Sequence, residues 1–240
     1  MARIVLLSGG GIKSAVCAWR YAQNNDLTLA HLSFGQASST AELRASGLLA
    51  ESLPSAKVVP LLLPHVTSLQ RGGESDVPSP GAAGVVGTMS NHLDSETLSP
   101  AVLAGVTPMM LVVGVQVALR VGASVVVSGL TRTAPGEHLG LPQANPQTDN
   151  RREMLHGMNV AYDALLSQKT RITIETPLID LSYPEIVQLA ARFDLPLGEC
   201  WTCCSSSATA CGACEPCVAR GKAFAHARTV DPATTDLPLS

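Results

Sequence analysis

Six of the seven cysteines fall between Cys200 and Cys217, at positions 200, 203, 204, 211, 214 and 217. Two CxxC pairs, Cys211/Cys214 and Cys214/Cys217, share a sulfur, and Cys203 lies eight residues upstream. Thiolates at this spacing converge on one centre, and a tetrahedral ion such as zinc is its usual occupant. The competing reading is a group of redox-active or unpaired thiols; an iron–sulfur cluster lacks supporting spacing. Cys17, alone among apolar neighbours, reads as a core thiol. So small a module cannot be the whole protein, and the residues before it must supply the main fold.

Those residues are rich enough in apolar side chains to bury a large core. Of 240 residues, 46% are hydrophobic and only 3% aromatic, so Ala, Leu, Val and Gly must fill the interior. A formal charge of −3 opposes a generic nucleic-acid or anionic-membrane binder, because neither polyanion would meet a basic field. No stretch of about 20 apolar residues occurs. The run from Met1 to Ser8 lacks the length of a signal peptide. Clustered CxxC pairs outside a secreted chain favour metal over disulfides, and the expected compartment is the cytoplasm.

The hydrophobic pattern alternates. Ile4–Leu7, Leu27–Phe34, Lys57–Leu63, Val125–Ser128 and Ile172–Glu175 read as strands. Helices are predicted over Ser14–Gln23, Thr40–Ser52, Pro108–Val121, Arg152–Gln168, Ser182–Phe193 and from the cysteine module to Arg228. The helix after Ser182 opens on a capping box, Ser182-Tyr183-Pro184-Glu185. Pro64–Pro100 and Thr131–Gln147 read as long functional loops. This order predicts an α/β fold: a Rossmann-like, doubly wound parallel sheet with a C-terminal zinc-binding module. Residues 1–198 would form the nucleotide-binding domain and 199–240 the cysteine-rich module with its helix.

Ser8-Gly9-Gly10-Gly11 follows the first strand and opens the first helix. Unhindered backbone N–H groups at a helix N-terminus stabilise phosphate, so Ser8, Gly9, Gly10, Gly11, Lys13 and Ser14 are the candidate nucleotide-binding residues. The alternative is a tight turn with no ligand. It is not a Walker A loop, since Ile12 rather than glycine precedes Lys13. His31, within a strand, reads as a satisfied core histidine. Asp180 reads as closing a turn. No Ser/His/Asp arrangement or paired carboxylates support hydrolase chemistry.

Ile4-Val5-Leu6-Leu7-Ser8-Gly9-Gly10 resembles the SGGxDS pyrophosphate loop of the N-type ATP pyrophosphatases, which have the adenine nucleotide alpha hydrolase-like fold. Pro177–Ser182 with Glu185-Ile186-Val187, and Trp201-Thr202-Cys203 followed by Cys211-Gly212-Ala213-Cys214-Glu215-Pro216-Cys217, narrow the match. Together they resemble the 7-cyano-7-deazaguanine synthase (QueC) family. Phe34-Gly35-Gln36 with Glu42-Leu43 is similar to its YGQRHxxEL segment, and Asp149–Met154 to DCRPEF. The resemblance implies zinc on Cys203, Cys211, Cys214 and Cys217, although Cys200/Cys203 with Cys214/Cys217 is a competing set by spacing. It implies substrate contacts from Phe34, Gly35, Gln36, Asp149, Arg151 and Glu153; for the last three a charged first helical turn is the rival reading. It further implies an ATP-dependent ligase of queuosine precursor biosynthesis, with a deazapurine acid as substrate, magnesium accompanying ATP, and a homodimer.

The chain departs from this pattern at several points. Ile12 and Lys13 stand where the family has the aspartate and serine of SGGxDS. Ala37 and Ser38 replace a basic pair, Met110 and Leu111 an Arg-Asn pair, and Cys204 a tyrosine. These losses define the alternative: a diverged paralogue with altered chemistry, or a non-enzymatic nucleotide- and zinc-binding role. A zinc-stabilised interaction module is a further rival, opposed by the acidic balance and few aromatics.

Overall fold

The computed structural model describes residues 1–63, 106–131, 152–167 and 170–234. The Pro64–Pro100 loop, nearly all of Thr131–Gln147, and Asp149 and Arg151 lie outside the described residues.

Five strands form one parallel sheet among the described residues: β1 (Ala2–Leu7), β2 (Asn25–Ser33), β3 (Ala56–Leu62), β4 (Val125–Ser128) and β5 (Thr173–Glu175), in the order β3-β2-β1-β4-β5. This is the Rossmann-like, doubly wound arrangement the strand–helix alternation predicts. Six α-helices are described: α1 (Ile12–Ala22), α2 (Ser39–Glu51), α3 (Val106–Val121), α4 (Arg152–Leu165), α5 (Tyr183–Arg192) and α6 (Glu215–Ala227). The predicted elements recur within a few residues. The fourth helix is shorter than expected, ending at Leu165.

The central strands are buried on both faces, as parallel strands covered by helices must be. Along β1, Ile4 and Leu6 join the core beneath α1, α2, α5 and α6, while Val5 joins the core beneath α3 and α4. Successive side chains point to opposite faces, so an unbroken apolar run serves both layers. Pro60 within β3 fits the sheet because β3 is an edge strand, where a missing N–H leaves no ladder bond broken. Trp19 of α1 stacks on Phe193 at 3.8 Å, locking α1 against the end of α5. The capping box forms, with Glu185 Oε2 accepting the Ser182 N–H at 2.8 Å and hydroxyl at 2.6 Å.

Helix α6 belongs to the same core: Ala219, Ala223, Phe224 and Ala227 are buried with Ile12, Val16 and Ile186. The cysteine module is therefore attached to the sheet through a shared apolar layer. No described helix is long and apolar enough to cross a membrane.

Candidate functional site

In a 3-2-1-4-5 sheet the order in which strands are added reverses between β1 and β4, the point at which such sheets open a crevice beyond the strands' carboxyl ends. Ser8-Gly9-Gly10-Gly11 leaves β1 at that point and enters α1. Gly11 is the N-cap residue and no side chain caps the helix, so the first-turn N–H groups are not consumed by a capping side chain. Their partial positive charge favours an anion.

The three glycines differ in use. A Cβ on Gly9 would meet nothing within 4 Å, so the space beside it is open. Gly10 has φ +67°, and a Cβ there would lie 2.6 Å from Glu42 O and 2.7 Å from Ala45 Cβ of α2. Both its left-handed backbone and this close approach require glycine. A Cβ on Gly11 would approach Trp201 O at 3.3 Å. The loop is braced by Ser8 Oγ, which pairs with Ser46 Oγ at 2.8 Å and accepts the Gly10 N–H at 3.3 Å, and by Ser14 Oγ, which accepts the Gly9 N–H at 3.3 Å. Beneath it His31, fully buried, donates from Nδ1 to Ser8 O at 3.1 Å; it is the satisfied core histidine its strand position predicts.

Ile12 points into the core, leaving no oxygen ligand at that turn of the loop. Lys13, half-buried, packs against the first residue after β4: a Cβ on Gly129 would meet Lys13 Cβ at 3.0 Å. Burial holds its ammonium below the ordinary lysine pKa, an effect partly offset by Cys17. Cys17 is itself fully buried.

The segment after β2 lies beside this crevice. Gln36 is buried and its amide is spent on its own loop: Oε1 accepts the Phe34 N–H at 2.9 Å, and Nε2 donates to Leu32 O and Glu42 Oε2, each at 3.0 Å. Ser38 Oγ donates to Glu42 Oε1 at 2.6 Å. Gln36 and Ser38 thus hold a turn together, while Phe34 is half-buried and Gly35 exposed with φ +97°. Glu153 is exposed on the first turn of α4, and its neighbour Arg152 pairs with Asp180. Nothing in the sequence signals that pair, because its partners are 28 residues apart and carry no shared motif.

In the cysteine module four of the six clustered thiols converge. The sulfurs of Cys203, Cys211, Cys214 and Cys217 lie within 4.8 Å of one another. Cys200 is outside that group: it is buried and its thiol faces Pro196 O at 3.7 Å. In a tetrahedral zinc site with bonds of about 2.3 Å the sulfurs sit about 3.8 Å apart. Cys203 Sγ and Cys214 Sγ are 3.9 Å apart, so the donor set fits a four-thiolate metal site. The module also pre-arranges donors to sulfur. Cys203 Sγ accepts the N–H groups of Ser205 and Cys211, each at 3.3 Å, and Cys211 Sγ accepts the Cys214 N–H at 3.4 Å.

Burial opposes the Cys203 thiolate, but hydrogen bonds from Ser205 Oγ and from the Cys211 and Ser205 N–H groups outweigh it, and its pKa falls to about 6. Burial raises the thiols of Cys214 and Cys217. Cys204 is pushed up to about 12 by burial and by the nearby Cys214. Cys214 is the N-cap residue of α6 and Cys217 lies in its first turn, where the helix dipole favours negative charge.

The two features touch. Trp201 N–H donates to Gly10 O at 2.9 Å, and Trp201 Nε1 donates to Cys203 O at 2.7 Å. One residue of the cysteine module therefore bridges a thiol ligand and the glycine loop.

A Rossmann-like parallel sheet with a glycine loop at its switch point, joined to a four-thiol cluster that could hold a metal, defines an α/β protein with a C-terminal cysteine module. The model of the family described as "Queuosine biosynthesis protein QueC" matches residues 2–228, and the chain belongs to that family. It is 27% identical over 235 residues to the 7-cyano-7-deazaguanine synthase of Nitratiruptor sp., covering 96% of this chain and 97% of that protein. The enzyme of the same name from Acidobacterium capsulatum is 29% identical over 240 residues, covering 96% and 95%. A solved structure, the U34-tRNA thiolase NcsA from Methanococcus maripaludis with its 4Fe-4S cluster, aligns with TM-score 0.45 and 14% identity over 95% of this chain and 70% of its own.

Proposed function

We propose that this chain is a 7-cyano-7-deazaguanine synthase, an ATP-dependent carbon–nitrogen ligase acting on 7-carboxy-7-deazaguanine and ammonia. The observation that carries this reading is the glycine loop at the β1/β4 switch point, hydrogen-bonded to the cysteine module within a QueC-family chain.

The carboxylate oxygen attacks the α-phosphorus of ATP, giving an acyl-adenylate and pyrophosphate. Ammonia displaces AMP to form the amide. The amide oxygen then attacks the α-phosphorus of a second ATP, releasing pyrophosphate and one N–H proton, and loss of AMP with the remaining N–H proton leaves the nitrile. Each activation turns a poor leaving oxygen into AMP, so the protein's task is positioning and stabilisation of phosphate charge. Ser8, Gly9, Gly10, Gly11 and Ser14 would shape the pyrophosphate site, with Lys13 supplying a cation beside it. Phe34, Gly35, Gln36, Asp149, Arg151 and Glu153 would flank the deazapurine. Gln36 would do so by holding its turn, since its amide is committed there.

Zinc on Cys203, Cys211, Cys214 and Cys217 would be a closed structural site, supplying folding energy rather than a reactive water. Magnesium would arrive on the nucleotide, because Ile12 offers the loop no carboxylate. The reading places the protein in the cytoplasm.

The test is an incubation of metal-replete protein with ATP, ammonium and the deazaguanine acid, followed by mass spectrometry. Nitrile appearing together with AMP is the expected result. Folded protein that releases neither AMP nor any nitrogen-containing product would end this reading in favour of a non-enzymatic paralogue.

A further inference from the structure

We infer that Arg220 is a positioning residue for the glycine loop, acting through two peptide units; this deepens the nucleotide reading above and rests on it. Arg220 sits in α6, its side chain 7% exposed, and all five of its N–H groups are engaged. Nε and Nη2 grip Asp231 at 2.8 Å each, Nη2 also reaches Leu197 O at 2.8 Å, and Nη1 reaches Cys200 O at 2.7 Å and Thr202 Oγ1 at 3.2 Å. The fork–fork pairing with Asp231 compensates the buried charge.

The contact with Cys200 O has a consequence beyond packing. That carbonyl and the Trp201 N–H belong to one peptide plane, and in a trans peptide the two point in opposite directions. The Trp201 N–H donates to Gly10 O at 2.9 Å. Gly10 O in turn shares a trans peptide plane with the Gly11 N–H, which therefore points away from Trp201; Gly11 is the N-cap residue of α1, an end that no side chain caps.

The order is therefore guanidinium, Cys200–Trp201 peptide, Gly10–Gly11 peptide, anion. Each member donates to the next in the same sense. A charged donor at the head of such a chain polarises every later N–H and strengthens the last bond. It also fixes the orientation of the Gly10–Gly11 plane, which glycine alone would leave soft. A residue remote from the crevice thereby both aims and strengthens a donor in the cradle.

Two variants test this. Arg220→Lys keeps the charge but cannot reproduce the five-bond fork. Replacement of Trp201 by its α-hydroxy acid turns the Cys200–Trp201 amide into an ester, deleting the N–H and keeping both side chains. The affinity of each for ATP and for inorganic pyrophosphate, by calorimetry, is expected to fall about five- to tenfold at unchanged metal content. The Gly11 amide resonance of the ligand-free ester variant is expected to move. If Arg220→Lys does not fold, the ester variant decides alone. An ester variant that binds both anions as tightly as the wild type, with the Gly11 resonance in place, overturns the relay. Wild-type protein that binds neither anion overturns the nucleotide reading itself, a separate outcome.

Discussion

At the end of β1 the useful groups belong to the backbone, and their side chains are mostly absent; in the cysteine module the useful groups are side chains, and the backbone is their support. Among the described residues the glycine loop is braced by α2 and by Trp201. Its Gly9 flank is open, Gly10 is pressed onto α2, and Gly11 lies against Trp201. The four thiols instead crowd within 4.8 Å of one another, and their mutual repulsion once ionised must be offset by a cation. A backbone site draws its rigidity from neighbouring elements and tolerates no change in φ. A thiolate site draws its rigidity from its occupant. Loss of the metal should therefore unfold one region while loss of a brace should mis-shape the other.

The largest effect should come from Cys214→Ser. Removing one of four ligands is expected to release the metal and cost about 4 kcal/mol or more in denaturant unfolding, because the module has no other core of its own. Acid should act in the same direction. Binding requires thiolates, while burial keeps Cys214 and Cys217 protonated above the ordinary thiol pKa, so protons compete and metal affinity falls as pH falls. Metal release followed against pH by elemental analysis checks this; affinity independent of pH would contradict it.

Next in size is Asp231→Ala, which leaves Arg220 buried without its carboxylate. A loss of about 3–5 kcal/mol is expected in equilibrium unfolding. If the cost is below about 1 kcal/mol, the ion pair is not stabilising the C-terminal segment.

The glycine pair sharpens the contrast within the loop itself. Gly10→Ala meets both a left-handed φ and a backbone oxygen at 2.6 Å, and should destabilise by about 3 kcal/mol. Gly9→Ala faces open space and should leave unfolding within about 1 kcal/mol of wild type while weakening ATP binding. Equal stability losses in the two would mean that the loop is packed on both sides.

The smallest expected change is from Lys13→Ala. Removing a desolvated ammonium should leave stability nearly unchanged and reduce ATP affinity about tenfold, read by calorimetry. Untouched affinity would remove Lys13 from the site.

Much of this was legible from the chain alone, and the reason differs by region. The alternation of short apolar runs with helical segments determines a parallel doubly wound sheet, because strands buried on both faces need no polar alternation and must be joined by crossovers. The capping box at Ser182 and the CxxC spacing are local, so their geometry is written within a few residues. Choosing among the six clustered cysteines is different. Cys200 and Cys203 form as good a CxxC pair as any, and only the fold sends Cys200 inward to Pro196 while Cys203 joins the other three. The same holds for the Trp201–Gly10 bond, whose partners lie far apart in the chain, and for Arg220, which reaches back 20 residues to Cys200 O. Sequence determines what is periodic or adjacent, since those patterns act through local sterics and hydrophobic burial. Which donor meets which acceptor across the molecule was decided by tertiary packing, which alone sets the distances on which hydrogen bonds and metal ligation depend.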